Sequence, residues 1–220
     1  KGTGSLDIAL KDAFVPAPRM LRMSDVFKGN APGLEINSAP LYRLPWGQVF
    51  FRGVGVASIG ALQGMLDVFL EYGKSRVNRM FGTKAFEDPT VQLVCAEVAI
   101  GLDEMKTMLH RNLHILEGYA ERRQTPSYAE RIRFKFHSAT AADRCVALAT
   151  KLFRIAGAAG IYAEMPFGRI LADIAAARHL AATVSWLEAT PTRATRHCRQ
   201  DGLVKVNTHG DRHDRPHAQH

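Results

Sequence analysis

The sequence is short of the features that mark several protein classes. It has three cysteines, Cys95, Cys145 and Cys198, widely spaced and odd in number. That fits neither a disulfide framework nor a paired-cysteine zinc site, and a reducing cytoplasm is the simplest compartment. No stretch of 18 uninterrupted apolar residues appears, so no membrane span is expected. The first residues carry no charged leader ahead of an apolar run, and nothing there reads as an export signal. Aromatic residues make up 8% of the chain, with two tryptophans, so each bulky ring is a candidate anchor.

What is present is an apolar fraction of 46% over 220 residues, enough for one globular domain with an extension, which excludes disorder throughout. The formal net charge of +8 invites a nucleic-acid reading, but its distribution opposes one. Five of the nine histidines, His197, His209, His213, His217 and His220, lie from Arg193 to the end together with six Lys/Arg and three Asp. That segment has no helical or alternating period, so residues 191–220 read as a solvated basic tail without ligand spacing for a metal.

Residues 1–45 read as the end of a β-domain and a linker. Leu6, Ile8 and Leu10 alternate with charged neighbours like a half-buried strand, ended by Pro16 and Pro18. A second short strand is expected around Gly33 to Asn37. A lone strand cannot stand as a sheet, so its partners must come from elsewhere.

Residues 46–190 read as a helical domain. A first long helix is expected from about Phe51 to Phe81, broken at Gly82. Asp88-Pro89 then supplies a cap and a proline at the first helical position. Val98, Leu102, Met105, Leu109, Leu113 and Leu116 form one apolar stripe behind it. Pro126-Ser127 opens a third helix with a small-residue stripe at Ala139, Ala142, Val146, Ala149, Phe153 and Ala156, ended by Gly157 and Gly160. A fourth runs from near Pro166 to about Trp186. The fold class expected is mainly α, an up-and-down four-helix bundle preceded by a β-domain remnant.

Three pieces, in order, resemble the acyl-CoA dehydrogenase superfamily. They are Gly2-Thr3-Gly4-Ser5-Leu6-Asp7-Ile8 running on to Asp12-Ala13-Phe14-Val15-Pro16; Tyr72-Gly73-Lys74-Ser75-Arg76 with Phe81-Gly82; and Gly168-Arg169-Ile170-Leu171-Ala172-Asp173. The resemblance implies the C-terminal helical domain of that superfamily. Its dehydrogenases use a carboxylate base, many with a Glu followed by Gly-Thr in the last helical segment, where this chain reads Ile174-Ala175-Ala176-Ala177-Arg178-His179 without a carboxylate. Glu71 is the alternative base on an earlier helix.

Arg178-His179, with Tyr42-Arg43-Leu44-Pro45-Trp46, instead resembles the oxygenase component of two-component flavin-dependent monooxygenases of the 4-hydroxyphenylacetate hydroxylase type. The resemblance implies hydroxylation of a small aromatic or phenolic substrate through a flavin C4a-hydroperoxide. Reduced FMN or FAD would be delivered by a separate flavin reductase, in a homo-oligomer expected to be a tetramer. It implies Arg43 beside the flavin ring, Trp46 closing the substrate cavity, His179 handling a proton at the flavin and substrate, and Arg76 reaching a flavin phosphate across a subunit interface. His179 follows Asp173 by six residues, where the family's histidine follows by seven.

Plainer roles compete at each position: surface charge for Arg43, a core anchor for Trp46, a helix-dipole partner for Arg76, a core histidine for His179. His110 and His114, spaced i, i+4, read as a solvated face rather than a metal pair, and Glu97 and Glu104 as surface or interhelical pairing. Two other functions stay open: an acyl-CoA dehydrogenase-type flavin oxidoreductase, and a non-catalytic helical oligomerisation module.

Overall fold

The computed structural model describes residues 7–9, 11–22, 25–26, 29–77 and 82–186. Leu6, Leu10, Phe81, Cys198 and the tail from 191 onward, on which expectations were placed, lie outside them. Four long α-helices follow one another: α1 (Trp46–Ser75), α2 (Pro89–Glu121), α3 (Tyr128–Ala156) and α4 (Phe167–Trp186). The sequence signals for α2 and α3 are met by geometry. Asp88 caps α2 by accepting from Thr90 N at 2.8 Å. Ser127 and Glu130 form a reciprocal capping box at the start of α3. Gly157, at φ +65°, ends α3 in a conformation that a side chain resists.

The second expected strand, Gly33 to Asn37, does not form, and the first lies partly outside the described residues. Among the described residues of the N-terminal segment no strand forms, Ile8 and Phe14 stand 86% and 89% exposed, and Pro32–Leu34 is a 3-10 turn. The physical reason is the one that made a lone strand implausible: no neighbouring chain offers a ladder of hydrogen bonds. The first helix also has different bounds from those expected. It starts at Trp46, directly after Pro45, and stops at Ser75, where Arg76 turns extended (ψ 127°). Ala85 N then donates to Arg76 O at 3.0 Å, and Val77 bridges Lys84 in antiparallel fashion.

Cross-helix contacts fix the topology. On α2 and α3, Glu97 meets Lys151, Glu104 meets Arg144, Met105 meets Cys145, Asn112 meets His137 and Tyr119 meets Glu130, so numbers climb on one helix as they fall on the other. Glu97 and Glu104 are therefore interhelical pairs. Phe69 and Tyr72 on α1 meet Phe167, the first residue of α4, edge to face at 6.3 and 5.9 Å between centroids. This is the up-and-down bundle. Its main core lies between all four helices and includes Leu62, Met65, Phe69, Leu102, Leu152 and Ile174, each at most 2% exposed. The close α1–α3 approach is set by Gly55, where a Cβ would stand 2.7 Å from Ser138 O.

α1 is also long and apolar enough to cross a membrane by length and composition, with a mean hydropathy of 1.5 over 18 residues. A core helix passes the same test, and here the Ile59, Leu62, Leu66 and Phe69 face of α1 is covered by the other three helices.

Candidate functional site

The two ends of the bundle carry different groups. At the end where α1 begins, Pro40–Arg43 makes a 3-10 turn and Leu44 buries itself against Leu116, Ala120 and Phe134, a second and smaller apolar cluster. This pins the turn and places Trp46 as the first residue of α1. Trp46 stacks on Phe50 one turn later, 4.7 Å between centroids and 16° between planes, while Phe50 remains 56% exposed. Arg43 is half-buried and makes no side-chain hydrogen bond or ion pair among the described residues. Gln48, buried just inside, donates to Arg131 O at 2.8 Å and ties α1 to α3.

His179 lies on α4, exposed, next to Arg178, which pairs with Asp143 on α3. The Phe69–Phe167 contact and the Gly55–Ala141 approach both put Arg178 and His179 level with about residue 57 of α1, hence about 17 Å along the axis from Trp46 at 1.5 Å per residue. Arg43, Trp46 and His179 thus share one half of the bundle. Arg43 ends the 3-10 turn and Trp46 begins α1 three residues later, and His179 lies about three turns away.

Arg76 sits at the opposite end. Its guanidinium donates to Ile155 O, lies 5.6 Å from the Tyr72 ring centroid, and would be 2.8 Å from a Cβ at Gly157. It closes the C-terminal end of α1 onto that of α3. Beside it is a cavity of about 110 Å³ lined by Arg76, Thr83, Lys84, Asp88, Thr90 and Ile155.

Glu71, the alternative base, is on the exposed face of α1 and pairs with Lys74 at 2.6 Å. It is placed for solvent rather than for a substrate. His114 lies 3.6 Å from Glu117, and among the described residues no three His, Cys, Asp or Glu side chains gather as a metal site needs.

One constellation escaped the sequence reading. Between the two apolar clusters runs a polar layer: Gln48 and Arg52 from α1, Asn112 from α2, Lys135 and Ser138 from α3, all buried. Asn112 meets His137 Nδ1 at 2.9 Å. Burial, with the charges of Arg111 and Arg133, lowers the His137 pKa from 6.5. Arg52 is 6% exposed, its pKa lowered by burial alone. The signal was present in the spacing: residues 52, 55, 59, 62, 66 and 69 form one stripe at intervals of three and four, so Arg52 falls on the buried face.

The family model for the acyl-CoA dehydrogenase C-terminal domain matches residues 52–184. The chain belongs to that family. The oxygenase subunit HsaA of Rhodococcus jostii strain RHA1, a flavin-dependent monooxygenase, is 30% identical over 179 residues, 81% of this chain and 47% of that protein. Among solved structures, the HsaA monooxygenase from Mycobacterium tuberculosis superposes with a TM-score of 0.71 at 28% identity, covering 89% of this chain and 50% of that one. The 3-HSA hydroxylase from Rhodococcus sp. RHA1 superposes with a TM-score of 0.72 at 23% identity, covering 90% and 50%, and at that identity it speaks for the fold. The chain spans about half the length of the relatives it matches.

Proposed function

We propose that the chain is the helical part of the oxygenase component of a flavin-dependent monooxygenase that hydroxylates a small aromatic substrate. The observation that carries this reading is that Arg43, half-buried and with no side-chain hydrogen bond or ion pair among the described residues, precedes the Trp46–Phe50 stack by three residues at the start of α1. A guanidinium there presents a fork of donors, which suits a planar, anionic ring such as reduced FMN or FAD. The residues present therefore fit the group. When bound, the flavin supplies the electrons that activate oxygen. The similarity to a flavin-dependent oxygenase subunit supports the same reading.

The chain's own residues then have distinct tasks. Arg43 holds negative charge in place and stabilises its growth. Trp46, stacked on Phe50, is the residue proposed to close the substrate's space by bulk. His179, exposed on α4, is the residue proposed to exchange a proton with the substrate's phenolic oxygen. Arg76, Thr83, Lys84 and Thr90 line the cavity at the far end, where a phosphate of a flavin held by a neighbouring subunit would find cationic and hydroxyl donors. The exposed apolar side chains Val49, Phe50 and Val56 on α1 support a homo-oligomer, proposed as a tetramer. A separate reductase supplies the reduced flavin.

The test is hydroxylation of a panel of phenols under ¹⁸O₂, with a reductase regenerating reduced FMN or FAD. The expected result is product carrying one labelled oxygen, and a roughly 100-fold loss of rate in Arg43→Met, as for removal of one charge-stabilising donor. Bleaching of the flavin by an acyl-CoA without oxygen would replace this reading with a dehydrogenase. A stable oligomer that binds no flavin would replace it with an oligomerisation module.

A further inference from the structure

The polar contacts between α2 and α3 form a ladder in which one rung has the wrong sign. At seven-residue steps α3 presents Lys151, Arg144, His137 and Glu130 to α2. The first two meet Glu97 and Glu104, and the last meets Tyr119. Seven residues after Glu104, however, α2 carries Arg111. There Arg111 Nη2 donates to Asn112 Oδ1 at 3.2 Å, and the Asn112 amide meets His137 Nδ1 at 2.9 Å. A guanidinium has only donors, so the Asn112 oxygen faces Arg111 and its nitrogen faces the ring. Nδ1 therefore accepts, and the neutral imidazole carries its proton on Nε2. That Nε2–H has no acceptor among the described residues. Arg133, one turn before His137 on α3, adds a second guanidinium, which lies over the Phe134 ring at 5.5 Å. Burial lowers the His137 pKa from 6.5, and the charges of Arg111 and Arg133 lower it further. Glu130, which also feels Arg133, is held by Ser127 and Tyr119. Neither Arg111 nor Arg133 makes an ion pair among the described residues. Both arginines are exposed and His137 is half-buried, so solvent reaches all three.

We propose that this third rung is a phosphate-binding site open to solvent, in which Arg111 from α2 and Arg133 and the Nε2–H of His137 from α3 take a phosphate group, free or esterified. Three donor groups on two helices match the several oxygens of a phosphate, whereas a carboxylate has only two to offer. The ligand supplies the negative charge that Glu97 and Glu104 supply at the first two rungs, and so joins α2 to α3. The site is distinct from the Arg43–Trp46 mouth and from the Arg76 cavity, and it does not rest on the oxygenase reading.

The 220-residue chain, labelled with ¹⁵N in its histidine rings, is titrated by NMR at about pH 8, where the ring is neutral. Inorganic phosphate, phenyl phosphate, acetate and chloride are added in turn at matched ionic strength, and the His137 signals are those missing from His137→Gln. Before any addition the ring is expected to show a protonated Nε2 and a bare Nδ1. Inorganic phosphate then shifts Nε2 along a saturable curve, acetate binds at least about fivefold more weakly, and chloride gives no saturable shift. Arg111→Met and Arg133→Met each weaken phosphate binding at least about fivefold, as loss of a charge-assisted donor requires. Arg123→Met, which removes an exposed cation beyond the C-terminus of α2, leaves the curve unchanged. Phenyl phosphate binding as tightly as inorganic phosphate identifies an esterified ligand, and much weaker binding identifies the free ion. A ring protonated on Nδ1, the absence of a saturable shift with phosphate, acetate binding as tightly as phosphate, or a curve unchanged in Arg133→Met overturns the proposal.

Discussion

Asn112 and His137 meet at 2.9 Å across the α2–α3 contact, with Asn112 fully buried. This bond sits in the polar layer rather than in either apolar cluster. The environment there lowers the His137 pKa from 6.5, so the fold favours the neutral ring. The folded state then binds fewer protons than the unfolded state below pH 6.5, and stability rises with pH across that window. The contribution is complete above about pH 6.5 and is lost as pH falls through the lower folded value. Urea midpoints at pH 7.5 and pH 5.5 are expected to differ more for the parent than for His137→Gln, which cannot titrate. Parallel pH profiles for the two would contradict this.

Two glycines on α1 make opposite predictions. At Gly55 a Cβ would stand 2.7 Å from the Ser138 carbonyl oxygen and 3.4 Å from Ala141 Cβ. Backbone cannot step aside cheaply, so Gly55→Ala is expected to destabilise the chain by roughly 1–3 kcal/mol through forced separation of α1 and α3. At Gly60, exposed in the same helix, a Cβ meets nothing within 4 Å. Gly60→Ala is expected to stabilise by about 0.5–1 kcal/mol from backbone entropy. Urea unfolding of the pair measures both signs against one reference.

Arg76 joins α1 to α3 through Ile155 O and covers Tyr72. Arg76→Met keeps the apolar stem and removes the donors. A loss of about 1–3 kcal/mol is expected from the abandoned carbonyl. Amide exchange would show the loss concentrated in the last turns of α1 and α3. A loss spread evenly over all four helices would argue against a local clamp.

Thiol labelling offers a further check on the core. Burial raises the Cys145 pKa to about 12, and its Sγ lies 3.9 Å from Met105 Sδ between α2 and α3. Reaction of Cys145 with an alkylating reagent is expected only through global unfolding, at a rate that follows denaturant. Half-buried Cys95 is expected to react by local opening instead. Equal rates for both in native buffer would contradict the burial of Cys145.

The local chemistry of three helix starts was legible because each carries its own signal: Asp88-Pro89, Pro126-Ser127, and Pro166 before Phe167. The stripes on α2 and α3 gave the buried faces for the same reason, since 3.6-residue periodicity is a local property. The start of α1 was not legible, because Pro45 supplies no side-chain cap and the helix is held instead by Gln48 reaching Arg131 O, 83 residues away. Its end at Ser75 depends on Arg76 finding Ile155 O, again a long-range partner. The alternating pattern of the N-terminal segment looked like a strand, but a strand exists only through its neighbours. At the candidate site, Arg43 and Trp46 lie three residues apart, so their nearness at the start of α1 is a property of the sequence, whereas the distance of His179 from them is set by the antiparallel packing of α4. Arg52 was overlooked because a single cation in an apolar helix reads as an exposed position unless its register is checked against the core.

The central claim, that the mouth of α1 holds a reduced flavin beside Arg43, is tested most directly by anaerobic titration of the purified chain with reduced FMN and reduced FAD, read by flavin fluorescence anisotropy. Saturable binding of one of them is expected, weakened about tenfold or more in Arg43→Met, in keeping with loss of a charge-assisted bidentate contact worth about 1.5–3 kcal/mol, with no change in the thermal midpoint of the free protein. Absence of binding to the parent chain, or equal affinity in the variant, would contradict the account.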